Sequence, residues 1–203
     1  FVSYTIPHLG ISAPEDSQEQ YRNAGFKPRK LKSGHYNNDP DANISYAAMI
    51  SHMDSYIGQI IAKLKEKGMD KNTLLMFTSD NGHHYDDGFF DSNGPYRGKK
   101  RDLTEGGIRM PTCVMWPGKI KAGSQVDTAL AFWDIMPTFC ELAQTKVSSA
   151  TDGLSFVPSL LGTGEQQEHD YLYWEFNESQ GPIQALRLGK WKFIRHWDAK
   201  KKA

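Results

Sequence analysis

A long amphipathic segment that leads, through a short loop, into a wholly apolar one sets the fold class of this chain of 203 residues. Between residues 42 and 67, Ile44, Ala47, Ala48, Met53, Ile57, Ile60, Ile61 and Leu64 recur at helical spacing, so one stripe faces a core. Asp41 or Asn43 is placed to cap this helix and Gly68 to end it. Residues 73–78 follow, with Leu74, Leu75, Met76 and Phe77 in an unbroken run. A strand apolar on both faces is covered on both, which is the habit of central parallel strands. Helix, loop and buried strand make half of a βαβ unit, so the expectation is an α/β domain whose largely parallel sheet is flanked by helices.

The rest of the chain is arranged around that unit. Residues 2–6 read as a short strand stopped by Pro7, and residues 8–41 as a long irregular segment. Residues 111–116 read as a second buried strand closed by Pro117-Gly118, residues 131–144 as a helix despite Pro137, and residues 155–161 as a helical turn. After Gly162-Thr163-Gly164 the texture changes to alternating aromatic and polar residues. Residues 171–176, 184–188 and 190–195 are expected to be antiparallel strands. The predicted division is therefore an α/β part over residues 1–164 and the beginning of an antiparallel subdomain over residues 165–203. Phe1-Val2-Ser3-Tyr4-Thr5 reads like the middle of a strand, as in a segment of a longer protein.

Charge narrows the function. The 24 basic and 24 acidic residues cancel, so no overall field favours nucleic acid or a membrane surface, and any anion site must be local. No apolar run approaches the roughly 20 residues of a membrane-spanning helix. Cys113 and Cys140, the only cysteines, fall in apolar patterns and read as two buried thiols. No CxxC spacing points to structural zinc.

The chemistry is concentrated after the apolar strand. Thr78-Ser79-Asp80-Asn81-Gly82 would stand at its carboxyl end, where parallel sheets collect their ligands. Asp80 and Asn81 offer oxygens suited to Ca²⁺ or Mg²⁺, although Ca²⁺ takes roughly six to eight. Taken alone, the same residues describe an ordinary turn whose Asp80 caps a following helix. Arg97, Lys99, Lys100 and Arg101 form a cationic stretch set among Gly94, Gly98, Gly106 and Gly107, with Glu105 close behind. Most charge runs are solvated loops, but glycine turns and a nearby carboxylate would hold a lysine ready to donate to an oxyanion. His8 opens the irregular segment. Tyr85, Phe89, Phe90 and Tyr96 fit either stacking on a sugar or aryl ring or packing in a core. His52 and Asp54, inside the long helix, read as solvent-side or locally paired.

Together these residues resemble the sulfatase family of the alkaline-phosphatase-like superfamily, and bacterial arylsulfatase-like enzymes in particular. The resemblance is carried by Tyr4-Thr5-Ile6-Pro7-His8, Phe77-Thr78-Ser79-Asp80-Asn81-Gly82, Ser92-Asn93-Gly94-Pro95, the run from Lys100-Arg101-Asp102 through Glu105-Gly106-Gly107 to Met110-Pro111, Trp116-Pro117-Gly118, Asp152-Gly153 and Tyr171-Leu172-Tyr173-Trp174-Glu175. It implies an alkaline-phosphatase-like α/β fold and hydrolysis of a sulfate ester, with a sulfated small molecule or glycan as substrate. It also implies Asp80 and Asn81 as metal ligands, with Ca²⁺ first and Mg²⁺ second. By the same resemblance Lys100 and His8 are catalytic contacts to the sulfate and leaving oxygen, while His84, Asn93 and Arg97 lie on the substrate side. Lys99 ranks below Lys100, and Arg109 is an ion-pairing residue.

Two family features are absent from these residues: the Cys/Ser-X-Pro/Ala-X-Arg motif, whose first residue becomes the formylglycine nucleophile, and an Asp-Asp pair of metal ligands. Both are expected upstream of Phe1, so this segment by itself is expected to be inactive. Two alternatives remain: a phosphoesterase of the same superfamily, and a non-catalytic homologue that binds sulfated glycans. The resemblance suggests a periplasmic or secreted protein.

Overall fold

The structure is a computed structural model that describes residues 1–32, 35–85, 88–178 and 182–197. It divides into two compact units, one built from Phe1–Asp70 with Gly82–Tyr96 and the other from Lys71–Asn81 with Arg97–Ala203.

The first unit is organised by helix α2, Ala42–Glu66, with α1, Glu15–Asn23, packed beside it. The apolar stripe expected on α2 is present, but its burial is uneven. The first two turns, from Ala42 to Met49, are buried all round. Beyond them Met53, Ile57, Ile60, Ile61 and Leu64 are only half-buried. The core beneath the start of α2 joins Ile11, Ala42, Tyr46, Met49 and Tyr85, with Ile6, Leu9, Leu31 and Phe90 against it. Burial pushes the Tyr46 phenol above its ordinary value, and a hydrogen bond with Ser92 pulls it partly back.

Two expectations fail here. Residues 2–6 form no strand; Phe1 and Val2 stand exposed, without a neighbouring strand to pair their backbone. The supposedly irregular segment contains α1. Its sequence, Glu-Asp-Ser-Gln-Glu-Gln-Tyr-Arg-Asn, has almost no apolar residue to mark a helical stripe. Polar contacts hold it instead: Tyr21 Oη meets Ser51 Oγ, and Arg22 Nη2 donates to Asp41 Oδ2 at 2.9 Å. Pro14 immediately before a first turn containing Glu15 and Asp16 is the signal that marks this helix start.

The second unit contains both sheets. Strands β1, Leu75–Thr78, and β2, Thr112–Met115, pair antiparallel, with Leu75 opposite Met115 and Thr78 opposite Thr112. The expectation of a parallel neighbour is therefore not met among the described strands. Apolar residues on both faces report coverage and say nothing of a partner's direction. Among its described residues the segment between β1 and β2 holds one short helix, α3, Glu105–Ile108, where a parallel crossover usually needs a longer one. Cys113 is exposed and Cys140 half-buried, both as free thiols, because the first two residues of β2 lie open. The strands β3, Leu172–Phe176, β4, Ile183–Leu188, and β5, Trp191–His196, form the expected antiparallel sheet in sequence order. The sheet does not stand apart: Ile183 and Ala185 are buried against Leu103, with Ile108, Trp174, Phe176 and Ile194 around them.

Between the sheets lie α4, Ile135–Leu142, and α5, Val157–Leu161. Asp134, fully buried, stitches this region together. Its Oδ2 accepts the Ala131 N–H at 2.7 Å, and its Oδ1 accepts the Leu154 N–H at 2.9 Å and meets His169 Nε2 at 2.8 Å. Thr138 Oγ1 adds a link, donating to the Asp134 carbonyl and accepting from the Phe156 N–H. Gly153 fits only without a side chain, since a Cβ there would run into the Trp133 carbonyl.

Two stability predictions follow from this contrast between crowded and open positions. Asp134→Ala strands two buried N–H groups and His169 without an acceptor, and should cost about 3 kcal/mol or more in urea unfolding followed by tryptophan fluorescence. Gly58 lies inside α2 with open space where a Cβ would stand, so Gly58→Ala should stabilise by about 0.5–1 kcal/mol in the same measurement.

Candidate active site

The expected site residues fall in both units. In the second, Asp80 and Asn81 form the turn directly after β1, with Asp80 exposed and Asn81 half-buried. The turn is closed locally: Ser79 Oγ donates to the Asn81 carbonyl at 3.0 Å, and Thr78 Oγ1 meets Thr112 Oγ1 at 2.9 Å across the strand pair. Residues 81–85 form no helix for Asp80 to cap, so the ordinary capping role does not apply. A carboxylate and a carboxamide oxygen suit a hard cation. They form only part of its shell, since the described residues contain no group of three or more His, Cys, Asp or Glu able to hold a metal.

Arg97 and Lys100 stand on a loop with little freedom. Its residues pack backbone to backbone against α3. The Gly106 N–H donates to the Arg97 carbonyl at 2.8 Å, and the Asp102 N–H to the Lys99 carbonyl at 2.9 Å. A Cβ on Gly106 would collide with the Gly98 carbonyl and lie 2.8 Å from that of Arg97. On Gly107 it would collide with the Asp102 carbonyl and lie 2.6 Å from that of Lys99. Arg101 takes a left-handed φ of 80°, which costs on the order of 1 kcal/mol, and its Nε is tied to Glu178 at 2.9 Å. The Glu-Gly-Gly sequence is thus a packing requirement of the cationic loop.

Glu105 has a different part from the one its spacing suggests. Its Oε1 accepts from Lys192 Nζ at 2.8 Å, and Arg109 Nη1 lies 3.9 Å from its Oε2. The lysine held by this carboxylate is therefore Lys192, on β5, whose ammonium also stands 5.3 Å from the Trp174 ring centre. Lys100 is half-buried, and its ammonium makes no ion pair among the described residues. Lys192 and Leu103, which anchor the loop to the sheet, are the site-supporting residues that sequence reasoning missed. Alternation of Lys192 with Trp191 and Phe193 places it on the opposite face of β5 from them, a signal available in the pattern.

The first unit brings His8 and His84 together, with ring centres 6.2 Å apart. His8 follows a cis Ile6-Pro7 bond, and its backbone N–H donates to the Thr5 carbonyl. Its Nδ1 lies 2.8 Å from the Leu9 carbonyl, so that nitrogen carries the hydrogen and Nε2 is the one left to face a ligand. Asn93 uses its amide locally: Nδ2 donates to the Tyr96 carbonyl. Tyr85, Phe89 and Phe90 are packed residues. Tyr85 is buried against Tyr46, and Phe89 meets Phe90 and Phe26 edge-on. An apolar groove of about 600 Å³ along Phe132, Met136 and Phe139 involves none of the candidate residues.

Residues 1–145 match the sulfatase family model, and residues 92–203 match the model described as N-sulphoglucosamine sulphohydrolase, C-terminal. The chain belongs to the sulfatase family. It is 36% identical to the steryl-sulfatase of Rattus norvegicus over 64% of this chain and 24% of that protein. It is 33% identical to the N-acetylgalactosamine-6-sulfatase of Mus musculus, over 72% of this chain and 28% of the relative. The structure of BT4656 in complex with its substrate, D-glucosamine-2-N,6-O-disulfate, superimposes with a TM-score of 0.61 at 27% identity, over 87% of this chain and 35% of that one. The chain thus spans about a quarter of the length of these two curated relatives.

The loop packing yields a test. Gly107→Ala should destabilise the chain by about 2 kcal/mol or more, since backbone carbonyls on both sides must retreat. An unfolding midpoint equal to that of the parent chain would contradict the packing described.

Proposed function

We propose that this chain is the downstream part of a sulfuric ester hydrolase, acting on a sulfate ester carried by a carbohydrate. Membership of the sulfatase family supports the reaction class. The observation that carries the residue roles is the glycine-locked loop, which holds Lys100 while giving its ammonium no carboxylate partner among the described residues. A cation in that condition is suited to a doubly bonded sulfate oxygen, because neither a salt bridge nor a floppy loop must be given up to bind it.

In this reading Lys100 and His8 are the catalytic contacts. Lys100 donates to a nonbridging sulfate oxygen. His8, with hydrogen on both ring nitrogens, donates from Nε2 to the sulfate or the leaving oxygen and is held in orientation through Nδ1. His84 supports His8 and, with Asn93 and Arg97, belongs to the substrate side. Asp80 and Asn81 are the ligands this chain offers to Ca²⁺, with Mg²⁺ the second choice. When bound, such a cation withdraws charge from sulfate as a Lewis acid. The family's formylglycine nucleophile is expected upstream of Phe1, and no residue of this chain takes its part.

The domain organisation belongs to the same proposal: residues 1–164 are part of the catalytic α/β domain, and residues 165–203 begin the antiparallel subdomain. Export to the periplasm or cell exterior fits it as well. No helix among the described residues is long and apolar enough to cross a membrane.

Terbium luminescence and Ca²⁺ competition on this chain should show binding that Asp80→Ala weakens. In a polypeptide extended to the length of the relatives, Lys100→Ala should lower kcat/KM for an aryl sulfate about a hundredfold or more. Retention of full activity by that variant would remove Lys100 from the mechanism, and turnover by these 203 residues alone would overturn the reading of the chain as a partial enzyme.

A further inference from the structure

The first unit carries a cationic feature that sulfate-ester chemistry leaves unused. Residues 27–32 read Lys-Pro-Arg-Lys-Leu-Lys, and Lys27, Arg29, Lys30 and Lys32 are all exposed. We propose that this segment is a second anion subsite, which selects sugars bearing a further sulfate or carboxylate beyond the ester acted on. The proposal rests on the sulfated-carbohydrate reading above and extends it to the substrate's neighbouring groups.

A basic run is ordinarily a mobile, solvated loop. This one is held from below. Asn43, fully buried in the first turn of α2, accepts the Arg29 N–H on Oδ1 at 2.9 Å and donates Nδ2 to the Lys27 carbonyl at 3.0 Å. The Ala42 N–H donates to the Arg29 carbonyl at 2.9 Å. Leu31 then exchanges both backbone hydrogen bonds with Asp39, at 2.8 and 3.2 Å, and turns its side chain into the core. With the backbone clamped at Lys27, Arg29 and Leu31, the flanking lysines form a fixed ridge. Arg29 lies across the Phe89 ring, 5.0 Å from its centre.

The ridge shares its foundation with the histidine pair. Leu31, Ile6 and Leu9 pack on one core, so the segments carrying the lysines and His8 are positioned by the same buried residues. Tyr36, in the loop that the Leu31–Asp39 bridge closes, meets the His8 ring edge-on at 5.7 Å. Two carboxylates near it in sequence have partners of their own. Asp41 pairs with Arg22, and Asp39 Oδ1 accepts the Asp41 N–H at 2.7 Å. Because the whole chain has no net charge, this concentration of positive charge is a local feature. A ligand with anions on successive sugars carries charge for both His8 and the ridge; one with a single sulfate does not.

The test is an NMR titration of this chain with two probes, a sulfated heparin-type hexasaccharide and a monosulfated glucosamine. The triple variant Lys27→Gln, Lys30→Gln, Lys32→Gln should weaken hexasaccharide binding roughly tenfold, about a factor of two per exposed charge. Its affinity for the monosulfated sugar should not change. Equal hexasaccharide affinity in the parent and triple variant would overturn the subsite. So would an equal loss for an inorganic polyphosphate of matched charge, which would report bulk charge alone. Lys100→Ala should instead weaken the monosulfated sugar. If it does not, the primary-site reading fails while the triple-variant result still decides the subsite.

Discussion

Contact between bare backbones at Gly98, Gly106 and Gly107 is the constraint on which the candidate chemistry of the second unit depends. Carbonyls of residues 97–102 occupy the space where side chains on α3 would stand. Two consequences come from that one fact. The loop cannot drift away without exposing its backbone groups, and its cations are carried on a backbone that is held in place. Lys192 and Leu103 extend the constraint into the antiparallel sheet, by an ion pair to Glu105 and by burial against Ile183 and Ala185. The sheet is thereby part of the machinery that places Lys100.

The first unit solves a similar problem with a different device. There a buried asparagine side chain, rather than close glycine backbones, fixes an irregular segment. Asn43 satisfies backbone groups of the preceding loop on both sides of Pro28, at a depth where an unpaired amide would be costly. The same logic governs Asp134 in the second unit, whose carboxylate gathers groups from residues 131, 154 and 169. Irregular segments in this protein are secured by a few buried polar groups, and each such group is a single point at which the arrangement can fail.

Much of the fold was legible because it is written in local patterns. The α2 stripe, Gly68 after it, the β1 run and the three alternating strands were all visible in spacing alone. Helix α1 was not, because a helix held by Tyr21, Arg22 and Gln18 through polar contacts leaves no apolar period. The antiparallel pairing of β1 with β2 was not, because a short strand with two apolar faces encodes burial but not direction. Motif residues Asp80, Asn81, Lys100 and His8 were recognisable as a set. The supports of the two cationic segments, Lys192 and Asn43, were not, since each acts on residues many positions away.

The sequence by itself determined the family, the helical and strand elements with strong periodicity, and the residue types available for a hard cation and a sulfate. Those properties depend on order and spacing along the chain. Tertiary structure decided which carboxylate meets which cation, sending Glu105 to Lys192 and, among the described residues, giving Lys100 no ion pair. It also decided that the aromatic residues Tyr85, Phe89 and Phe90 pack among themselves, and that the basic run at Lys27 stands as a ridge. Such outcomes depend on distances between segments remote in sequence, and side-chain pairing falls off within a few ångströms, so no local pattern could have announced them.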